Sequence, residues 1–326
     1  MLLRRRTFLT GALASGTLRA APGAPNKVRV SVNSQLTMAP FYQASESGYF
    51  TESGLSIELQ KDMGSAQSIP LLAGSRLDVA FEGLNPGLYN AALRGGRVRI
   101  VAGRETISRS CRTMGVVYVS AKLFPKGVRS MRELQGKRVA ISAGTVGSQF
   151  VLDVLLAHEG MRLEDVDVRK MSTEERLIAI RSGGIDAFVA SAGDMTPMLR
   201  SLQIVPGPML ADIMPGFQYS YIAFGRDLLD GDADVGVRFL RAYLKGANDY
   251  LNGKTPSYVD EYAKSKNLDA SQVREECRDS FVHDGAIRVQ DIERFARWSS
   301  EHGYLQGPVD VSMLIDTRFL AALQRR

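Results

Sequence analysis

Apolar and polar residues alternate through Val28-Arg29-Val30-Ser31-Val32, the period of a half-buried strand. A helix-like stretch follows over 40–53 and stops at Gly54, and Leu55-Ser56-Ile57-Glu58-Leu59 alternates again. Segments 65–73 and 86–94 carry a helical pattern, while 77–81 and 98–101 are short apolar runs expected as strands. Strands alternating with helices predict a parallel sheet covered on both faces. A second set begins near 114–119 and continues with a strand at 137–141, a helix at 148–159 and a strand at 166–168. Ser172-Thr173-Glu174-Glu175 is a capping box that opens another helix, closed by Gly183-Gly184 and followed by a strand at 185–189. From Asp232 the pattern turns helical, over 235–251, 257–265, 271–281, 290–301 and 312–324. Stretches 103–113 and 213–221 are the expected hinges, where the chain crosses to a second lobe and returns.

One phrase occurs twice. Ala73-Gly74-Ser75-Arg76-Leu77-Asp78-Val79-Ala80-Phe81 is echoed by Arg181-Ser182-Gly183-Gly184-Ile185-Asp186-Ala187-Phe188-Val189. Each copy runs a helix into a glycine stop, then an apolar residue, an Asp and a buried strand. The repetition predicts two similar α/β lobes, which suits a chain of 326 residues.

The net charge of +6 changes meaning once the first residues are considered. Residues 1–25 hold Arg4, Arg5, Arg6 and Arg19 and no acid; without them 37 basic residues face 35 acidic ones. No basic stripe remains for phosphates, so no nucleic-acid partner is expected. The leader has a basic start, a short mild apolar middle and small residues near Ala20 to Ala24, the layout of an export signal. Arg5-Arg6-Thr7-Phe8-Leu9 resembles the twin-arginine pattern; an ordinary signal with an extra Arg is the alternative. Either implies the periplasm, where Cys111 and Cys277 are free to pair or to stay thiols.

In open sheets of this kind, ligands sit beyond the carboxyl ends of the strands. The first set of loops there offers Ser34 and Gln35, then Ser65, then Glu82 and Asn85; the second offers Thr145, Gly147 and Ser148, then Asp194. Phe41 and Tyr219 are the aromatic candidates near the cleft or hinge. Small hydroxyl, amide and glycine residues let backbone N–H groups approach a ligand at helix N-termini, although each is also an ordinary helix cap. Glu82 and Asp194 favour a ligand with donors, the helix starts an anion. The three histidines read as surface residues, and no metal, nucleophile-elbow or nucleotide motif is present, so neither catalysis nor a cofactor is expected. Arg104, Arg109 and Arg112 are placed to reach inward near the first crossing.

The blocks Ala39-Pro40-Phe41-Tyr42-Gln43-Ala44, Gly48-Tyr49-Phe50, Leu72-Ala73-Gly74-Ser75-Arg76-Leu77-Asp78 and Leu134-Gln135-Gly136-Lys137-Arg138-Val139-Ala140, followed by Gly144-Thr145-Val146-Gly147-Ser148, stand in a characteristic order. In that order they resemble the substrate-binding proteins of nitrate, sulfonate and taurine type ABC importers and the related thiamine-pyrimidine binding group. The resemblance implies an α/β, type II periplasmic-binding fold of two lobes around a cleft with a helical C-terminal segment. It further implies a small organic solute as ligand, a permease and an ATPase in the inner membrane as partners, and a monomer. The matching organisation is an export signal at 1–25, lobe one at 26–105 and 220–326, and lobe two at 106–219. Related fungal pyrimidine synthases share the blocks, but their cysteine-rich iron motif is missing here.

Overall fold

The computed structural model describes residues 26–111, 114–143, 146–190, 199, 202–307 and 310–325; the expected export leader, 1–25, lies outside them. Strands β1 (Asn26–Ser31), β2 (Leu55–Gln60), β3 (Val79–Gly83) and β4 (Arg99–Thr106) come first in the chain. They are followed by β5 (Val116–Ser120), β6 (Arg138–Ser142), β7 (Asp167–Met171), β8 (Ala187–Val189), β9 (Ile204–Met209) and β10 (Gln218–Phe224). They form two sheets, ordered β2-β1-β3-β10-β4 and β7-β6-β8-β5-β9. The chain therefore leaves the first sheet after β4 and returns to it in β10.

The sheets are mixed, which corrects the expectation of a parallel sheet. In the first, β10 lies antiparallel between β3 and β4; in the second, β5 lies antiparallel between β8 and β9. Each inserted strand is the one entered from a crossing, so it arrives from the opposite direction. Segment 213–221, expected as a hinge, supplies the first half of β10. Its polar residues hide a buried strand: Gln218 receives no hydrophobic signal because its amide is used, Nε2 donating to the Ala286 carbonyl (2.9 Å) and Oε1 accepting from Arg288 N (2.8 Å).

The echoed phrase is a structural duplication. Asp78 precedes β3 and accepts from Arg29 of β1 through N (2.7 Å), Nε (2.9 Å) and Nη2 (2.6 Å). Asp186 precedes β8 and accepts the same three bonds from Arg138 of β6, at 2.8, 3.1 and 2.6 Å. The glycine stops differ: Gly183 is left-handed at φ 75°, whereas in the first copy Gly74 has φ −92° and Ser75 takes the left-handed turn at φ 56°.

The C-terminal helices need a body, and the first sheet provides it. Helix Ala233–Leu251 lies across that sheet beside helix Ala39–Glu46, burying Phe239, Leu240, Tyr243 and Ala247 against Phe41, Phe81 and Phe224. The two helices approach so closely at Gly246 that a Cβ there would lie 2.5 Å from both the Cβ and the backbone N of Ala44. Helix Val289–Glu301 packs Phe295 and Trp298 on Phe150 of helix Gly147–His158, joining the layers of the two sheets. Expected helix 271–281 shortens to Ala270–Arg274, and 312–324 to Arg318–Gln324. Cys111, in the first crossing, forms a disulfide with Cys277 in the C-terminal segment, which resolves the open pairing question.

Candidate functional site

The carboxyl ends of β1, β3 and β4 and the start of β10 share one edge of the first sheet. Three charged side chains are buried there: Glu82 (2% exposed), Arg104 (4%) and Glu105 (3%). Glu82 ends the buried run of β3 and lies beneath the first turn of helix Ser65–Ala73, where the Ser65 and Ser68 hydroxyls each donate to it. Arg104 pairs with Glu105 (3.4 Å), donates to Ser220 Oγ (3.2 Å) and to the Thr37 carbonyl, and lies 5.2 Å from the Phe81 ring centre. Burial raises the carboxyl pKa of Glu82; the two serines and Arg104 oppose it. Burial likewise raises Glu105, against the opposing pull of Arg104, Ser220 and Tyr219. Two buried carboxyls face one guanidinium. In a low-dielectric interior that excess favours one proton or one ligand donor at the site.

On the second sheet the corresponding edge carries helix Gly147–His158, whose Ser148 Oγ accepts from Ser142 N (2.8 Å), and Arg176, which is fully buried. Arg176 donates to the Val189 carbonyl (2.7 Å) and to Thr173 Oγ1 (3.0 Å). Both lobes thus hold a buried arginine at their strand ends. Arg176 was not singled out from sequence; its position, four residues after the Ser172 cap, was the available signal. Glu105 was also missed, although a charge pair inside an apolar strand such as 98–106 is unusual.

The other expected residues fall in several places. Ser65 and Glu82 come together directly. Ser34 is exposed and donates to Asp62 Oδ1 (2.5 Å). It opens onto a separate cavity of about 340 Å³ lined by Tyr42, Glu46, Lys61, Asp62, Tyr258 and Glu261, among others. The Gln35 carbonyl accepts from the Tyr258 hydroxyl (2.9 Å), which binds the strand-end loop to the C-terminal helices. Asn85 caps helix Pro86–Leu93, its Oδ1 accepting from Gly87 N (2.7 Å). The Tyr219 ring is half-buried; its hydroxyl lies in the interior against Glu105, and burial, reinforced by that carboxylate, raises its pKa well above the usual value. Phe41 is a correction: it is 1% exposed and packs edge-on or tilted against Phe50 and Phe81, so it belongs to the core. Arg104 does reach inward, whereas Arg109 is exposed beside Asp212. Gly147 starts its helix with open space at the Cβ position. Thr145, Asp194 and Arg112 lie outside the described residues.

Two mixed sheets with this order, joined by two crossings and edged by helix starts, define the fold of periplasmic binding proteins. The periplasmic aliphatic sulphonate binding protein SsuA of Escherichia coli superposes with a TM-score of 0.72 at 15% identity, covering 90% of this chain and 92% of that one. The chain belongs to the NMT1/THI5-like family, which matches residues 35–254. Among curated relatives, a Brucella abortus protein named as a binding protein is 26% identical over 95% of this chain and 92% of its own length. A 4-amino-5-hydroxymethyl-2-methylpyrimidine phosphate synthase of Aspergillus parasiticus is 23% identical over 82% of this chain and 77% of its own length. The desulfurization enzyme DSZB shares the fold at a TM-score of 0.66 and 16% identity, covering 92% of this chain and 99% of that one.

Proposed function

We propose that this protein is the solute receptor of an ABC importer. It captures a small organic molecule in the cleft between its lobes, residues 26–105 with 220–326 and residues 106–219, and presents it as a monomer to a permease and ATPase in the inner membrane. The observation that carries this is the pairing of two strand-end surfaces, each with helix starts, hydroxyls and a buried arginine, on lobes joined by two crossings. Lobe closure by hinge motion is the ordinary way such a pair buries a ligand. The Cys111–Cys277 disulfide favours an oxidising compartment, in keeping with the export leader and a periplasmic site of action. No helix among the described residues is long and apolar enough to cross a membrane.

The ligand contacts in this proposal are Ser34, Gln35, Ser65, Glu82, Asn85 and Tyr219 from lobe one, and Thr145, Gly147, Ser148 and Asp194 from lobe two. Helix starts, with the buried Arg176 behind those of lobe two, favour a sulfonate or carboxylate group on the ligand. A second possibility is favoured by one observation, the Ser65 hydroxyl donating to Glu82. A hydroxyl committed in that way offers only lone pairs outward, which suits an N–H donor such as an aminopyrimidine. An enzyme on this fold finds less support: both cysteines are consumed by the disulfide and are not available to hold iron or act as a nucleophile.

The test is a thermal-shift screen of the mature protein against alkanesulfonates, carboxylates and aminopyrimidines at 1 mM and 10 mM. A ligand present at about 100 times its Kd adds about 2.7 kcal/mol, enough to move Tm by several degrees. Turnover of any hit, followed by chromatography, would transfer the protein to the enzyme class.

A further inference from the structure

Trp298, His302 and Asp153 form a contact between the two lobes that the solute site does not use. Asp153 lies on helix Gly147–His158, which covers the second sheet and whose first residue, Gly147, is at the proposed ligand edge. Trp298 and His302 lie at the end of helix Val289–Glu301, which packs against the first. Trp298 Nε1 donates to Asp153 Oδ2 (2.7 Å), and His302 Nε2 stands 3.3 Å from the same oxygen. The His302 ring stacks on the Trp298 indole with centroids 4.5 Å apart, and its Nδ1 lies 2.9 Å from the Trp298 carbonyl.

Both imidazole nitrogens therefore face acceptors, a backbone carbonyl on one side and a carboxylate on the other. Neutral imidazole carries a single N–H and satisfies one of them; imidazolium satisfies both. A cation is also favoured at the carboxyl end of a helix, where carbonyls are unpaired. Among the described residues, the charged group at ion-pair distance from His302 is Asp153, and the nearby titratable ring is Tyr304, 5.7 Å from Trp298 and hydrogen-bonded to Gln149 (3.0 Å).

We propose that His302 is a proton-operated clamp between the lobes. Protonated, it completes the tie from the C-terminal helix to Asp153. Deprotonated, it has one N–H for two acceptors and no charge, so its tie to Asp153 weakens and the lobes engage less firmly. Solute capture then responds to external pH independently of the Glu82 carboxyl in the ligand site. That consequence rests on the lobe motion proposed above; the clamp itself needs no ligand to be seen.

Trp298 is the one tryptophan of the chain, so its emission reports the clamp directly. Stacked imidazolium quenches indole, and emission of the ligand-free mature protein should fall through a single transition as pH drops from 8 to 5. His302→Gln should lose the transition. Asp153→Asn keeps the histidine and removes the carboxylate charge on the other lobe; its transition should move to lower pH. Flat wild-type emission over that range, or a transition that survives in His302→Gln, overturns the proposal. An Asp153→Asn transition within about 0.2 pH unit of wild type overturns it too, because quenching would then be local to one helix. Far-UV circular dichroism at pH 7 confirms that each variant is folded.

Discussion

The two lobes agree at one end of their sheets and differ at the other. At the amino ends, Asp78 and Asp186 each precede the central parallel strand and receive the same three bonds from an arginine on the neighbouring strand. At the carboxyl ends, lobe one buries Glu82, Arg104 and Glu105, while lobe two buries Arg176, which donates to Thr173 Oγ1 and the Val189 carbonyl. The repeated phrase thus encodes scaffold. It fixes strand order and the seating of the central strand in both lobes, and it leaves the carboxyl edge free to differ. In the proposed cleft, unlike walls would orient an asymmetric solute.

The largest effect expected concerns an asymmetry between the lobes, the disulfide that pins the first crossing to the C-terminal segment. It spans 166 residues, and removing it by Cys111→Ser with Cys277→Ser is expected to cost about 5 kcal/mol through the freed unfolded chain. Urea unfolding measures this; a loss below about 1 kcal/mol would mean that the tie contributes little to the fold.

Next come the paired aspartates. Asp78→Ala strips acceptors from a buried backbone N–H and a guanidinium and should cost about 2 kcal/mol. Asp186→Ala should cost less, because its partner Arg138 is 40% exposed against 26% for Arg29, and water replaces part of what is lost. Equal losses would show that the backbone bond alone matters. A reversed order would break the equivalence of the two phrases. Gly246→Ala belongs to lobe one alone and should cost about 1–3 kcal/mol by forcing helix Ala233–Leu251 away from Ala44.

The pH responses should have opposite signs. The Arg138 side chain holds Asp186 below the usual carboxylate range, with its backbone N–H and charge adding to the effect against burial. Its stability is present above about pH 4 and is lost as pH falls through the folded value. Burial raises Glu82 and Glu105, so their stabilising contribution is present at low pH and is lost as pH rises through their folded values. Glu82→Gln should therefore leave the ligand-free protein as stable as wild type or more so at pH 8, with the gain vanishing toward pH 4. A destabilised Glu82→Gln protein at pH 8 would mean that the carboxylate is fully compensated by Arg104 and the two serines.

Much of this was legible in the sequence, with physical reasons for what was not. Strands such as β1, β2 and β6 announce themselves by alternation or short apolar runs, and helix Ser257–Ser265 by its pattern. β10 does not, because Gln218 and Ser220 are buried through hydrogen bonds to other parts of the chain instead of by apolar character. The repetition around Asp78 and Asp186 was visible, but its role required knowing which strand lies alongside. Glu82 was recognisable as a strand-end carboxylate; its burial beneath Ser65 and Ser68 depends on a helix that local sequence does not place. The pairing of Cys111 with Cys277, 166 residues apart, is a tertiary fact.

The central claim is that Glu82 and its surroundings form one wall of a solute site. Titration calorimetry of the best hit from the thermal-shift screen, on wild type and on Glu82→Gln in parallel, tests it most directly. The account predicts a saturable one-to-one isotherm for wild type and at least a tenfold weaker Kd for the variant, about 1.4 kcal/mol or more, with the ligand-free Tm of the variant undiminished. An unchanged Kd in a folded Glu82→Gln protein would contradict it.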